Sequence, residues 1–270
     1  MCEFHLTIKK NYKHMKPLIL ITNDDGADAP GISLLTRLMK QIGDVVVVAP
    51  DGPRSGQSNA LTVSAPIRYK KLHEEEGLIS YSCTGTPTDC VKLALNQIVP
   101  RRPDLLVSGI NHGSNAAINV IYSGTMGAVL EGCENDILSI GFSINSHSLS
   151  VDFSYFEPYI LQITREALSN GLPHYVCLNV NAPEGEIKEV KVVRQCDGKW
   201  VKEYEKRIDP HGREYFWLTG HFHNNEPDAQ DTDEWVVAHG GVAIVPVCVD
   251  MTAHSTIESV NNWNLSPIQP

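Results

Sequence analysis

Two consecutive carboxylates, Asp24 and Asp25, sit in the run Thr22-Asn23-Asp24-Asp25-Gly26, directly after four apolar residues at 18–21. Hard divalent cations take oxygen ligands, and two carboxylates completed by neutral oxygens and waters suit Mg2+ or Mn2+. Neighbouring side chains on a strand point to opposite faces, so both carboxylates reach one ion only where the backbone bends, and Gly26 permits that bend. Taken alone, Asp-Asp-Gly also fits a plain turn or helix cap, because short motifs recur by accident. Three more polar segments offer related chemistry. Residues 50–59 carry Arg54, Ser55 and Asn59. Residues 108–115 read Ser108-Gly109-Ile110-Asn111-His112-Gly113-Ser114-Asn115, with small residues that let backbone N–H groups approach an anion. Tyr122-Ser123-Gly124-Thr125-Met126-Gly127 leads into an apolar helix. With Ser123 or Thr125 as its cap, that helix start fits either a phosphate site or a capping segment with no ligand.

The elements that must position these loops are read from apolar periodicity. Residues 18–21 and 45–49 are continuous apolar runs of the kind buried on both faces of a parallel sheet. Between them Ile32, Leu35, Leu38, Met39 and Ile42 recur at helical spacing, with Gly43 where a C-terminal cap is expected. The pattern predicts further helices over 88–98, from 125, and ending near 170–171, and strands at 105–107, 137–144 and 175–180. Such alternation implies an α/β fold with right-handed crossovers, a doubly wound, mostly parallel Rossmann-like sheet. Ligands then bind outside the carboxyl ends of the strands, where the loops bearing Asp24, Ser55 and Ser108 fall.

From residue 186 the rhythm changes to period-two stretches and a polar section through 233. The chain therefore reads as a polar N-terminal extension (1–15), an α/β catalytic core (16–185), and a β-hairpin with C-terminal arm (186–270) belonging to the same domain. Glu74-Glu75-Glu76 reads as a solvated turn. The acidic run Asp228, Asp231, Asp233 and Glu234 lacks the central Gly and terminal Glu of a calcium loop and reads as surface. His211, His221 and His223 have no completing ligand at zinc spacing and read as a solvated hairpin.

Composition narrows the function classes. The 270 residues, 42% of them hydrophobic, suffice for one sizeable core or two small ones. A formal charge of -10 argues against a nucleic-acid surface, which needs Lys and Arg to neutralise phosphates. Seven cysteines without C-x-x-C spacing read as reduced thiols, with Cys83, Cys90, Cys133 and Cys177 as small core residues. No stretch approaches the roughly 18 apolar residues of a spanning helix, and no apolar signal region follows the N-terminal lysines, so a soluble cytoplasmic protein is expected. Neither a P-loop nor a G-x-G-x-x-G motif is present.

Five blocks recur in a specific order: Thr22-Asn23-Asp24-Asp25-Gly26, Arg54-Ser55-Gly56, Gly85-Thr86-Pro87-Thr88-Asp89-Cys90, Val107-Ser108-Gly109-Ile110-Asn111 and Ser123-Gly124-Thr125. With the C-terminal Val249-Asp250-Met251-Thr252-Ala253-His254-Ser255, they resemble the signature blocks of the SurE family over nearly the whole chain. The resemblance implies a divalent-metal-dependent phosphatase acting on nucleoside 5'-monophosphates, some members also cleaving 3'-nucleotides or short polyphosphate. Carried over to this sequence, it implies one Mg2+ or Mn2+ per subunit held by Asp24, Asp25, Ser55 and Asn111. Ser108, Gly109, Ser123, Gly124 and Thr125 would cradle the phosphate, with Asn59 and Asn115 contributing from neighbouring loops. A homodimer or homotetramer formed through the C-terminal arm is implied as well, in the region of Trp200, Tyr204, Tyr215, Phe216 and Trp217. Ala116-Ala117-Ile118-Asn119 departs from the Gly-rich, acidic stretch of many members, which bears on substrate preference.

The chemistry expected of such a site is hydrolysis, with a cation polarising the phosphoryl group and activating a water for in-line attack. Asp24 and Asp25 would be catalytic, and Asp24 as covalent nucleophile is the alternative route. His254, oriented by Asp250, is a candidate for proton transfer or a fastening of the C-terminal segment. A non-catalytic nucleotide or phosphate sensor on the same fold is the competing class. An exopolyphosphatase would need a basic channel, which the net acidity does not favour.

Overall fold

Side chains alternate along a strand, and the first apolar run uses both sides: Ile19 and Ile21 pack on one face of the sheet, Leu18 and Leu20 on the other. The computed structural model describes residues 16–148 and 150–265. The polar extension at 1–15 lies outside the described residues. In chain order the elements are β1 (Leu18–Thr22), α1 (Pro30–Met39), β2 (Asp44–Pro50), β3 (Tyr69–Glu75), β4 (Leu78–Cys83), α2 (Pro87–Leu93) and β5 (Leu105–His112). There follow α3 (Gly124–Glu134), β6 (Leu138–Asn145), α4 (Glu157–Asn170), β7 (Val176–Pro183) and β8 (Glu189–Val192). The C-terminal part holds β9 (Gly198–Val201), β10 (Tyr204–Ile208), β11 (Glu214–Leu218), β12 (His221–Asn224), α5 (Asp233–Ala238), β13 (Gly241–Cys248) and α6 (Ile257–Asn261).

Nine strands form one sheet in the order β3-β4-β2-β1-β5-β6-β7-β13-β8. Neighbours from β4 through β7 are parallel, and β3 and β13 pair antiparallel at either side of that block. One face is covered by α1 and α4, which share a core of Leu35, Phe142, Phe156 and Ile160; the other is covered by α2 and α3 through Val91, Met126 and Val129. This is the doubly wound, mostly parallel sheet that the apolar periodicity predicts. From β1 the chain winds outward through β2 to β4, then returns through α2 to β5 on the opposite side of β1. That reversal opens a crevice between the carboxyl ends of β1 and β5.

The differences from expectation are local. Glu74 and Glu75 belong to β3, exposed along its whole length, and the turn begins only at Glu76, so the expected turn at 74–76 is corrected. Lys70, Lys71, Glu74 and Glu75 charge this edge of the sheet, which discourages pairing with another chain and also hides the period-two signal. The helix expected over 88–98 stops at Leu93 and winds on as one π turn (Ala94–Ile98). Beyond the main sheet, β9 pairs with β12 and β10 with β11 in separate two-stranded ribbons. Cys83, Cys90, Cys133 and Cys177 are buried and unbridged, and among the described residues no helix is long and apolar enough to cross a membrane.

Candidate functional site

The bend after β1 is made by Asn23, whose side chain accepts the Gly26 N–H at 3.2 Å and donates to the Gly26 carbonyl at 3.0 Å. Gly26 takes φ 104°, a conformation that a Cβ would disfavour. Asp24 and Asp25 are thereby brought within electrostatic reach of one another, Asp24 only 3% exposed and Asp25 half-buried.

Asp24 meets the start of α3. Its Oδ1 accepts the Thr125 hydroxyl at 2.5 Å, and a Cβ on Gly124 would stand 2.8 Å from the Asp24 Cβ. A larger residue at 124 would push the helix away from the carboxylate. Of the two possible caps, Ser123 does the capping, its Oγ accepting the Met126 N–H at 3.0 Å, while Thr125 turns to Asp24. First-turn N–H groups have no partner inside a helix, so α3 presents donors and the positive end of its dipole to this crevice. Burial raises the Asp24 pKa from 3.8 to about 6, the Thr125 hydrogen bond opposing and the Asp25 charge adding.

Among the described residues no Lys or Arg pairs with either carboxylate. The basic partner is His112, whose backbone N–H and Nδ1 lie 3.4 and 3.5 Å from Asp25 Oδ2. Sequence reasoning assigned His112 no role, although its place beside Asn111 in the same loop was a usable signal. Phe153 packs edge-on against its ring at 5.5 Å.

The remaining candidates come from the adjoining strand ends. Ser55 is exposed on the loop after β2, which is tied in by the Arg54 N–H donating to the Asp24 carbonyl at 2.7 Å. Asn59 lies against α3, its Oδ1 2.9 Å from where a Cβ on Gly127 would be. Ser108 is in register with Thr22 across β5 and β1, and the buried hydroxyls of both have no hydrogen-bond partner among the described residues. Gly109 falls where the β5–β6 ladder breaks, between Ser108 and Asn111. Asn111 donates through Nδ2 to the Gly113 carbonyl at 2.7 Å.

Two candidates are engaged elsewhere. Asn115 is buried, with its Nδ2 on Ser143 Oγ at 2.8 Å and its backbone N–H on Asn181 Oδ1 at 2.8 Å. His254 stands on an exposed 3-10 turn (His254–Thr256), its Nε2 2.7 Å from Asp250 Oδ2, with no hydrogen bond to the carboxylate pair. The expected pairing of Asp250 with His254 is therefore present.

One expectation is overturned. Asp233, read as surface, is 1% exposed, its Oδ2 accepting the Ala117 N–H at 2.8 Å and its Oδ1 the N–H groups of Cys196 and Glu234, each at 2.9 Å. Burial raises its pKa, with those backbone donors opposing. An acidic local sequence reads as solvated, but packing of α5 on β13 and β7 takes this carboxylate out of water.

A carboxylate pair with no Lys or Arg partner among the described residues thus lies at the switch point of a doubly wound sheet, with Asp24 against a helix N-terminus. A profile of the family described as Survival protein SurE matches residues 19–202. The chain belongs to the SurE family. Similar relatives include a protein of Phocaeicola vulgatus, 52% identical over 94% of this chain and 99% of its own length, and one of Bacteroides fragilis, 49% identical over 94% of this chain and 100% of its own. Both carry the name 5'-nucleotidase SurE. The crystal structure of the SurE protein from Aquifex aeolicus is similar with a TM-score of 0.79 at 34% identity, covering 91% of this chain and 98% of that one. The family resemblance carried by the spaced sequence blocks is borne out.

Proposed function

We propose that the protein is a 5'-nucleotidase, a divalent-metal-dependent phosphatase that hydrolyses nucleoside 5'-monophosphates to nucleoside and phosphate. The observation that carries this reading is Asp24, a carboxylate buried beside Asp25 with no Lys or Arg counter-charge among the described residues and seated against the N-terminus of α3. A buried carboxylate beside a second one is costly unless a cation accompanies it, and a helix start favours phosphate. The name of the relatives supplies the substrate class.

The donor chemistry fits a hard cation. Asp24, Asp25, Ser55 and Asn111 would hold one Mg2+ or Mn2+ per subunit, two anionic and two neutral oxygen ligands. Among the described residues no three His, Cys, Asp or Glu side chains cluster to hold a metal, so neutral oxygens must complete the set. When bound, the ion neutralises and polarises the phosphoryl group. The chain supplies the rest. Ser108, Gly109, Ser123, Gly124 and Thr125 offer hydroxyl and N–H donors to phosphate oxygens, and Thr125 holds Asp24 in place. The field at the start of α3 favours the negative charge that develops on the phosphoryl oxygens. Asn59 approaches from the loop after β2, and Asn115 supports the same wall through Ser143.

We further infer that 3'-nucleotides and short polyphosphates are secondary substrates, and that the protein is a cytoplasmic homodimer or homotetramer. Association uses the β10–β11 ribbon, where Tyr204, Tyr215, Phe216 and Trp217 are exposed. His254 and Asp250 fasten the C-terminal arm.

Phosphate release from nucleoside 5'- and 3'-monophosphates and from tripolyphosphate, with Mg2+, Mn2+ or chelator, tests the reading. Metal-dependent release, fastest on 5'-monophosphates and abolished in Asp24→Asn, is expected. Nucleotide binding without release under any metal would replace it with the sensor.

A further inference from the structure

Between Asn115 and Ser123 the chain makes a short 3-10 turn (Ala117–Ile121), entered through Ala117 at φ 52°. This left-handed region is disfavoured by any residue with a Cβ, so something must hold Ala117 there. Two anchors reach it from the C-terminal half of the chain: Asp233 Oδ2 accepts the Ala117 N–H at 2.8 Å, and Trp200 Nε1 donates to Asn119 Oδ1 at 2.7 Å. The same Asp233 carboxylate binds Cys196 and Glu234 N–H groups, so the turn, the segment before β9 and the start of α5 share one buried charge.

The turn in its place carries two parts of the crevice. The Asn119 carbonyl accepts the N–H groups of Tyr122 at 3.0 Å and Ser123 at 3.1 Å, and Ser123 caps α3 where it meets Asp24. Ser58 donates its N–H to the Tyr122 carbonyl at 3.0 Å and its Oγ–H to the Ile121 carbonyl at 2.6 Å, which ties in the loop bearing Ser55 and Asn59.

We infer that Asp233 and Trp200 are positioning residues for phosphate hydrolysis: they hold the Ala117–Ile121 turn in its strained form, and the turn sets both the α3 cap and the Ser55 loop. The inference rests on reading those loops as the metal and phosphate site. It makes Asp233 and Trp200, both in the β-rich C-terminal part, determinants of activity.

The test is kcat and KM on a nucleoside 5'-monophosphate for Asp233→Asn and Trp200→Phe, each with and without Ala117→Gly, at a temperature where circular dichroism shows every variant folded. Asp233→Asn should lower kcat/KM by roughly tenfold, chiefly through KM, because small misplacement of binding groups is enough. Trp200→Phe, which keeps an aromatic ring but loses the indole N–H together with part of the ring area, should lower it by roughly threefold. Glycine tolerates φ 52° without a Cβ penalty, so Ala117→Gly should return most of the loss in each background, a rescue that a general folding defect would not show. Wild-type kcat and KM in Asp233→Asn, or a loss that Ala117→Gly leaves untouched, overturns the inference. If Asp233→Asn does not fold, Trp200→Phe carries the test, with unchanged kcat/KM as the contrary result. A wild-type protein that releases no phosphate defeats the functional reading itself, a result distinct from any variant's behaviour.

Discussion

The crevice between β1 and β5 and the β10–β11 ribbon depart from stable packing in opposite ways. In the crevice, Asp24 is buried beside the half-buried Asp25 and, among the described residues, no Lys or Arg pairs with either and the hydroxyls of Thr22 and Ser108 have no partner. On the ribbon, apolar area is left in water at Tyr204, Phe216, Trp217 and Leu218. Folding alone explains neither, since a chain optimised only for stability satisfies its buried polar groups and covers its aromatics. The proposed function supplies a remedy for each by chemistry: a cation and an anion for the crevice, an apolar surface for the ribbon.

The contrast can be broken most forcefully at the carboxylates. Asp24→Asn and Asp25→Asn should each lower phosphate release on the order of a thousandfold or more, measured at saturating Mn2+. Near-normal turnover in both would remove the crevice from the chemistry.

The same substitution should act oppositely on stability. The folded-state pKa of Asp24, about 6, lies above its ordinary 3.8, so the folded state holds this proton more tightly. Stability is then lost as pH rises from about 4 to above 6, by about 3 kcal/mol in the metal-free protein. Asp24→Asn carries no such penalty. Thermal melts in chelator should show the variant gaining on wild type between pH 4.5 and 7.5, whereas a constant gap would mean that Asp24 is solvated. Saturating Mn2+ should reverse the order, because a cation bound only by the folded wild type stabilises it.

On the ribbon, Trp217→Ser should weaken self-association by roughly thirtyfold, as loss of a buried aromatic anchor does, with kcat per subunit changed far less. Sedimentation over a concentration series reads this directly, and a wild type that stays monomeric at every concentration would leave the aromatic patch unexplained. The smallest effect is expected at His254, whose partner Asp250 lies on the exposed C-terminal arm. His254→Ala should leave Mn2+ affinity, measured calorimetrically, within about twofold of wild type. A larger loss would join the arm to the crevice.

Legibility followed the range of the interactions. Strands β1, β2 and β5 were readable because a strand buried on both faces is a continuous apolar run, and α1 because its core residues recur at helical spacing. The exposed, charged β3 carries no such pattern, and its last two residues, Glu74 and Glu75, read with Glu76 as a turn. In the crevice, the loops bearing Asp24, Ser55, Ser108 and Ser123 were found as spaced blocks, since a strand end followed by small and polar residues is a local signature. His112 and Asp233 were missed because their importance lies in what they touch.

The amino-acid sequence by itself determined the doubly wound sheet, the capped start of α3 and the oxygen-rich loops at the strand ends. All of these follow from periodicity, capping and turn chemistry among near neighbours. Only the tertiary structure decided that Thr125 reaches Asp24 across 101 residues, that Asp233 is dry, and that Trp200 holds the turn before Ser123. Desolvation and long-range hydrogen bonds sum over atoms distant in the chain, so no local stretch of residues can announce them.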